Sequence, residues 1–88
     1  MDNEFYESFY KKYLKVKQIY DGYCGYGYKL KKDGEWVYDE IKYDLIKKEL
    51  SCFGFSIKVF PGMKLRDVSE DLFELLLDNG YENEHCMC

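Results

Sequence analysis

Five acidic side chains, Asp67, Glu70, Asp71, Glu74 and Asp78, recur at spacings of three, one, three and four. On a helix this gathers them into one stripe about 100° wide. The chemistry of such a stripe is electrostatic: it offers carboxylates to something basic. No lysine or arginine follows Arg66. That last quarter of the chain holds seven acidic side chains, whereas residues 1–66 hold thirteen basic and ten acidic ones, so the formal net charge of −4 divides into +3 and −7. Negative charge in a first helical turn is favourable, which accounts for Asp67, Glu70 and Asp71. Glu74 and Asp78 gain little from that effect, and like charges three or four residues apart cost about 0.2–0.5 kcal/mol per pair. A merely solvated face would more often mix signs, so the stripe reads as a partner-binding surface.

A second constellation is Lys29, Lys31, Trp36 and Tyr38, where lysines and aromatic rings alternate as on a base-stacking surface. A pI near 5 and a single arginine oppose a polyanion ligand. This surface is therefore the alternative to the stripe.

Enzyme chemistry finds no frame. The one histidine, His85, sits beside Cys86 and Cys88 in the terminal Glu-Asn-Glu-His-Cys-Met-Cys stretch, where nothing evident would hold a catalytic geometry. The serines lack an evident base, and the stripe's carboxylates lie along a surface instead of facing across a cleft. Gly22, Gly25 and Gly27 precede a strand, so they are no phosphate-binding loop. Cys24, Cys52, His85, Cys86 and Cys88 include donors of the kinds zinc takes. However, C-x-C with isolated cysteines elsewhere matches the usual C-x-x-C knuckle poorly. The expectation is a non-enzyme with no metal, no cofactor and four reduced thiols.

The elements that must position these groups follow from pattern. Phe5, Phe9 and Tyr13, flanked by Tyr6, Tyr10 and Leu14, give residues 3–20 a broad aromatic helical face. Asp2 or Asn3 can cap this helix and Gly22 end it. Strands are predicted at 24–32 and 35–39 around Asp33-Gly34, a two-residue turn signal that pairs Leu30 with Val37 and Lys31 with Trp36. Tyr26, Tyr28, Leu30 and Val37 then share one face and Lys29, Lys31, Trp36 and Tyr38 the other. Residues 39–53 read two ways. Tyr43, Ile46, Leu50 and Phe53 follow helical spacing, with Asp39 as cap and Gly54 past the end, whereas Val37, Ile41, Tyr43 and Leu45 alternate like a strand. The helix is preferred. Phe55–Phe60 reads as a buried strand stopped by Pro61-Gly62. A last helix is predicted from Asp67 to Asn79, with a D-x-x-E start and Gly80 at its end. Val68, Leu72, Phe73, Leu75, Leu76 and Leu77 lie away from its acids.

These elements predict a small single α+β domain over residues 1–81. It has an N-terminal helix, a β-hairpin plus a third strand in an antiparallel or mixed sheet, and an acidic C-terminal amphipathic helix. The order is αββαβα, alternatively αβββα, with 82–88 as a flexible tail. Eighty-eight residues bury roughly 60–65% of their unfolded surface, and seventeen aromatic rings supply the core. No apolar run is long enough for a signal peptide or a membrane span, so a cytoplasmic protein is expected. The absence of Ala and Thr, with twelve Lys against one Arg, is compatible with an AT-rich bacteriophage or mobile-element gene. The functional expectation is an acidic inhibitor or protein-binding protein. Its stripe, with Trp36 and Tyr38 as aromatic anchors, docks a basic partner such as a nucleic-acid-binding protein or nuclease complex. It would act as an anti-defence, anti-CRISPR-like nucleic-acid mimic without binding nucleic acid itself. The alternatives are a nucleic-acid-binding module using the Trp36 face, and a homo-oligomer in which the positive and negative regions pair between copies.

Overall fold

Acidic residues in its first turn and aromatic rings at every third or fourth position make residues 2–21 a helix that must bury one face. The computed structural model describes residues 2–23 and 25–83. In it α1 (Asp2–Asp21) is followed by β1 (Gly27–Lys32), β2 (Glu35–Glu40), β3 (Lys42–Asp44), β4 (Glu49–Cys52), β5 (Phe55–Lys58) and α2 (Leu65–Asp78). β1 and β2 form one antiparallel pair, and β3-β4-β5 form a second antiparallel sheet. The fold is α+β as expected, with the anticipated helix, hairpin and helix. Its order is αβββββα, which corrects both αββαβα and αβββα.

The first hairpin follows its turn. Asp33 and Gly34 take φ of 53° and 83°, the pair of left-handed residues that a type I′ turn requires. The register that results pairs Leu30 with Val37 and Lys31 with Trp36. Pairing begins at Gly27, three residues later than the predicted strand start.

Residues 39–53 form no helix, and three local features explain why. The Asp44 carboxylate accepts the backbone N–H groups of Ile46 and Lys47, both at 2.9 Å, giving the backbone a turn in place of a helical ladder. Lys48 follows at φ 58°. Phe53 and Gly54, at φ 55° and 80°, then form a second two-residue hairpin turn that pairs Cys52 with Phe55. Asp39, expected as a helix cap, instead accepts the N–H of Phe53 at 2.7 Å. Ile46, one of the four residues of the helical pattern, is 90% exposed, whereas Leu50 and Cys52 alternate into the core as strand residues.

Both helices pack against the sheets. Phe9 and Tyr13 of α1 are buried, and the Tyr43 ring lies 5.3–6.0 Å from those of Phe9, Tyr10 and Tyr13. Two hydroxyls stitch this helix to backbone: Tyr13 donates to the Ile41 carbonyl at 2.8 Å and Tyr6 to that of Val59 at 3.0 Å. Leu65, Val68, Leu72 and Leu76 of α2 complete the core with Leu30, Ile41, Leu50 and Val59. α2 begins at Leu65, two residues before the predicted start, with no side-chain cap at Lys64. The D-x-x-E sequence is therefore not a cap, and Glu70 pairs with Arg66. At the other end Gly80 (φ 92°) closes a Schellman turn, in which Gly80 and Tyr81 donate to the carbonyls of Leu77 and Leu76. The chain then returns to β1, and Lys31 and Glu82 exchange backbone hydrogen bonds of 2.9 and 2.8 Å. Glu82 thus belongs to the fold, not to the predicted tail.

Burial of so many phenols has a consequence at high pH. Desolvation raises Tyr13, Tyr26 and Tyr43 above the ordinary phenol range and Tyr28 to about 12, the last despite its hydrogen bond to the Ser69 carbonyl. Below about pH 10 these groups are protonated in folded and unfolded chains alike. Above it the unfolded chain releases protons that the folded chain keeps. Stability is therefore full at neutral pH and falls as pH rises above about 10, for Tyr28 until its folded value of about 12 is passed. Thermal melts followed by circular dichroism should show a flat Tm to about pH 9 and a steep decline beyond. A Tm unchanged past the ordinary phenol range would contradict this burial.

Candidate functional site

The stripe is where its spacing puts it. Asp67, Glu70, Asp71, Glu74 and Asp78 are all exposed along α2, while Val68, Leu72 and Leu76 on the opposite side have no exposed surface. The helix is held to the sheets by that inner row and by Tyr28, whose hydroxyl donates to the Ser69 carbonyl at 2.7 Å and whose ring lies 5.2 Å from Phe73. The carboxylates thus stand on a rigid backbone. Among the described residues the one cation that meets the stripe is Arg66, whose Nε lies 3.4 Å from Glu70 with both side chains exposed. Such an exposed pair contributes little. Asp67, Asp71, Glu74 and Asp78 make no ion pair among the described residues.

Trp36 and Tyr38 occupy a different surface. Tyr28 and Leu30 face α2, so Trp36, paired with Lys31, lies on the opposite face of the hairpin. No helix covers it. The ring is 43% exposed, with the ammonium groups of Lys29 and Lys31 each 5.8 Å from its centroid, and Tyr38 is 46% exposed beside it. The structure therefore sets the five carboxylates and the two rings on opposite sides of the hairpin. A partner lying flat on one surface does not reach the other.

The thiols offer no reactive centre in the described part. Cys52 is buried, its Sγ donates to the Asp39 carbonyl at 3.3 Å, and burial with the nearby Asp39 charge pushes the thiol up to about 11, so it stays protonated at neutral pH. Cys24, His85, Cys86 and Cys88 lie outside the described residues. Among the described residues no three His, Cys, Asp or Glu side chains gather as metal ligands, and no helix is long and apolar enough to cross a membrane.

A third feature has a fainter sequence signal. Between α1 and the start of α2 runs a groove lined by Phe5, Phe9, Lys12, Met63, Leu65 and Arg66. Its sign in the sequence is the recurrence of Phe5, Ser8, Lys12, Val16 and Tyr20 at spacings of three and four. That pattern marks a helix side but not the neighbour alongside it. In comparisons with known proteins the chain matches no family model, no curated protein and no solved structure.

Proposed function

We propose that the chain is a small acidic binding protein that docks the outer face of α2 onto a basic protein surface. The partner class is a nucleic-acid-binding protein or nuclease complex whose site the carboxylates occupy in place of phosphates, as an anti-defence inhibitor of phage or mobile-element origin would do. One observation carries the reading: five exposed carboxylates on a single rigid helix face, four of them without an ion pair among the described residues. Repulsion along that face costs stability. The same field steers and orients a positively charged partner.

Reversing Glu74 and Asp78 to Lys separates fold from use. Lysines in the last turns complement the helix dipole, so the double variant should melt at or slightly above the wild-type temperature. Affinity capture from host-cell extract should lose a basic protein that the wild type retains. Equal capture by the two folded proteins would remove the stripe from the mechanism.

The open Trp36 face favours a second reading, single-stranded nucleic-acid binding by ring stacking between lysines. Its position across the hairpin from α2 distances it from the acids. Here Trp36→Ala should abolish retention of a labelled oligonucleotide in low salt at a stability cost well below the ~3–5 kcal/mol of a buried ring. Wild-type protein that retains no oligonucleotide would end this alternative.

A further inference from the structure

The groove between α1 and the start of α2 joins an apolar floor to charges of one sign. It measures about 330 Å³ over Phe5, Phe9 and Met63 and continues as a depression of about 220 Å³ past Val16, Tyr20 and Tyr26. Lys12, Leu65 and Arg66 line both parts, so the two form one trough along α1. Its charged lining residues are Lys12 on the α1 wall and Lys64 and Arg66 on the α2 wall, all exposed, and among the described residues no acidic side chain lines either part. Lys12 and Lys64 make no ion pair among the described residues. Arg66 meets Glu70 at 3.4 Å in an exposed contact that contributes little. In a chain of net charge −4, a trough lined by cations alone departs from the charge of the whole.

Cations around an apolar floor fit a molecule with an apolar body and an anionic head. We propose that the groove binds the monomeric carboxylate of an unbranched fatty acid. Its chain lies along Phe5, Phe9, Met63 and Leu65, and its head rests between Lys12 and Arg66. Those two cations stand where the two parts of the trough meet, and from Lys12 back to Phe5 the groove runs about 10 Å at 1.5 Å per helical residue. That length, with a volume at the lower end of ligand sites, suits one acyl chain of medium length. Each methylene taken from water adds to affinity. The head stays beside exposed cations, where water completes its solvation, so no charge is buried without a partner. A bilayer fits less well, because a recessed floor holds its apolar groups back from a lipid surface that protruding side chains would enter. The site uses none of the five stripe carboxylates, so it stands whether or not α2 docks a basic protein.

The test titrates the isotope-labelled full chain with decanoate, below its micellar concentration, while amide chemical shifts are followed. Decyltrimethylammonium, the same chain under the opposite charge, is titrated in parallel. Saturable shifts are expected at Phe5, Ser8, Phe9, Lys12 and Leu65, with decanoate bound about tenfold or more tighter than the cation. Non-specific uptake by a protein of net charge −4 would favour the cationic amphiphile, so the order of the two is decisive. The variant Lys12→Glu/Arg66→Glu, changed only at exposed positions, should bind decanoate about tenfold or more weaker. Ser8→Trp, which sets a ring into the groove from an exposed position, should weaken it with no change of charge. No saturable shift in the groove, tighter or equal binding of decyltrimethylammonium, or undiminished decanoate binding by either folded variant would overturn the proposal. Should a variant not fold, the order of the two amphiphiles on wild type decides. Co-sedimentation with phosphatidylglycerol vesicles without decanoate binding would assign the face to a bilayer, and groove shifts that follow protein concentration without ligand would assign it to another chain. Either result overturns the proposal.

Discussion

Leu72→Ala should lower the stability of this protein by about 3–5 kcal/mol, the upper part of the range for a buried leucine. Leu72 has no exposed surface, and it lies on the inner row of α2 between Val68 and Leu76. A small domain has only about 5–15 kcal/mol in total. The loss should appear in urea denaturation as a large drop in midpoint, with partial unfolding at 37 °C. Because Leu72 sits on the same helix as Glu74 and Asp78, the contrast is informative. The inner substitution should remove fold and function together, whereas the outer charge reversals should remove function alone. A Leu72→Ala midpoint close to wild type would mean that α2 is not docked as described.

Gly27→Ala should also be damaging, for a different reason. A Cβ at Gly27 would overlap the Asp39 carbonyl oxygen and come within 2.9 Å of the Asp39 carbonyl carbon and the Glu40 Cα, all backbone. Gly27 opens β1 opposite Glu40, so relief requires the strands to part at that end. Asp39 cannot retreat freely, because its carboxylate holds the Phe53 N–H and its carbonyl the Cys52 thiol. Overpacking of this kind costs about 1–3 kcal/mol and occasionally more. The expected result is a lower Tm together with faster amide exchange at Ile41, whose N–H donates to the Tyr26 carbonyl at 2.9 Å. An unchanged Tm would show that the two strands are not this close.

The elements that sequence made legible are those in which local chemistry and burial agree. Asp33-Gly34 dictates both a turn and a register, and Leu30 and Val37 fall on the buried side of it. In α2 the acidic and apolar residues part at helical period, so exposure of all five acids follows from spacing alone. Residues 39–53 were ambiguous because their apolar residues fit two periods, and the deciding interactions come from side chains that act on backbone. Asp44 captures two N–H groups, and Asp39 reaches fourteen residues ahead to Phe53. Phe53-Gly54 is a hairpin turn with a bulky residue at positive φ, an uncommon choice that the Phe53–Tyr81 ring contact at 4.8 Å helps to hold. The placement of Trp36 on the face away from α2 was only half legible. The hairpin fixed which face it shares, but which face α2 covers depends on tertiary contacts such as Tyr28 with Ser69 and Phe73. The inter-helix groove was legible only as one side of α1, because the start of α2 alongside it is set by tertiary contacts.

Displacement of a fluorescent oligonucleotide from purified basic nucleic-acid-binding proteins, nucleases among them, tests the central claim most directly. The chain and its Glu74→Lys/Asp78→Lys variant are titrated side by side while anisotropy is read. The account predicts that wild type releases the oligonucleotide from at least one such protein, that the folded double variant does not, and that added salt weakens the effect. Release by both proteins alike, or release that arises because the chain itself takes up the oligonucleotide, would contradict it.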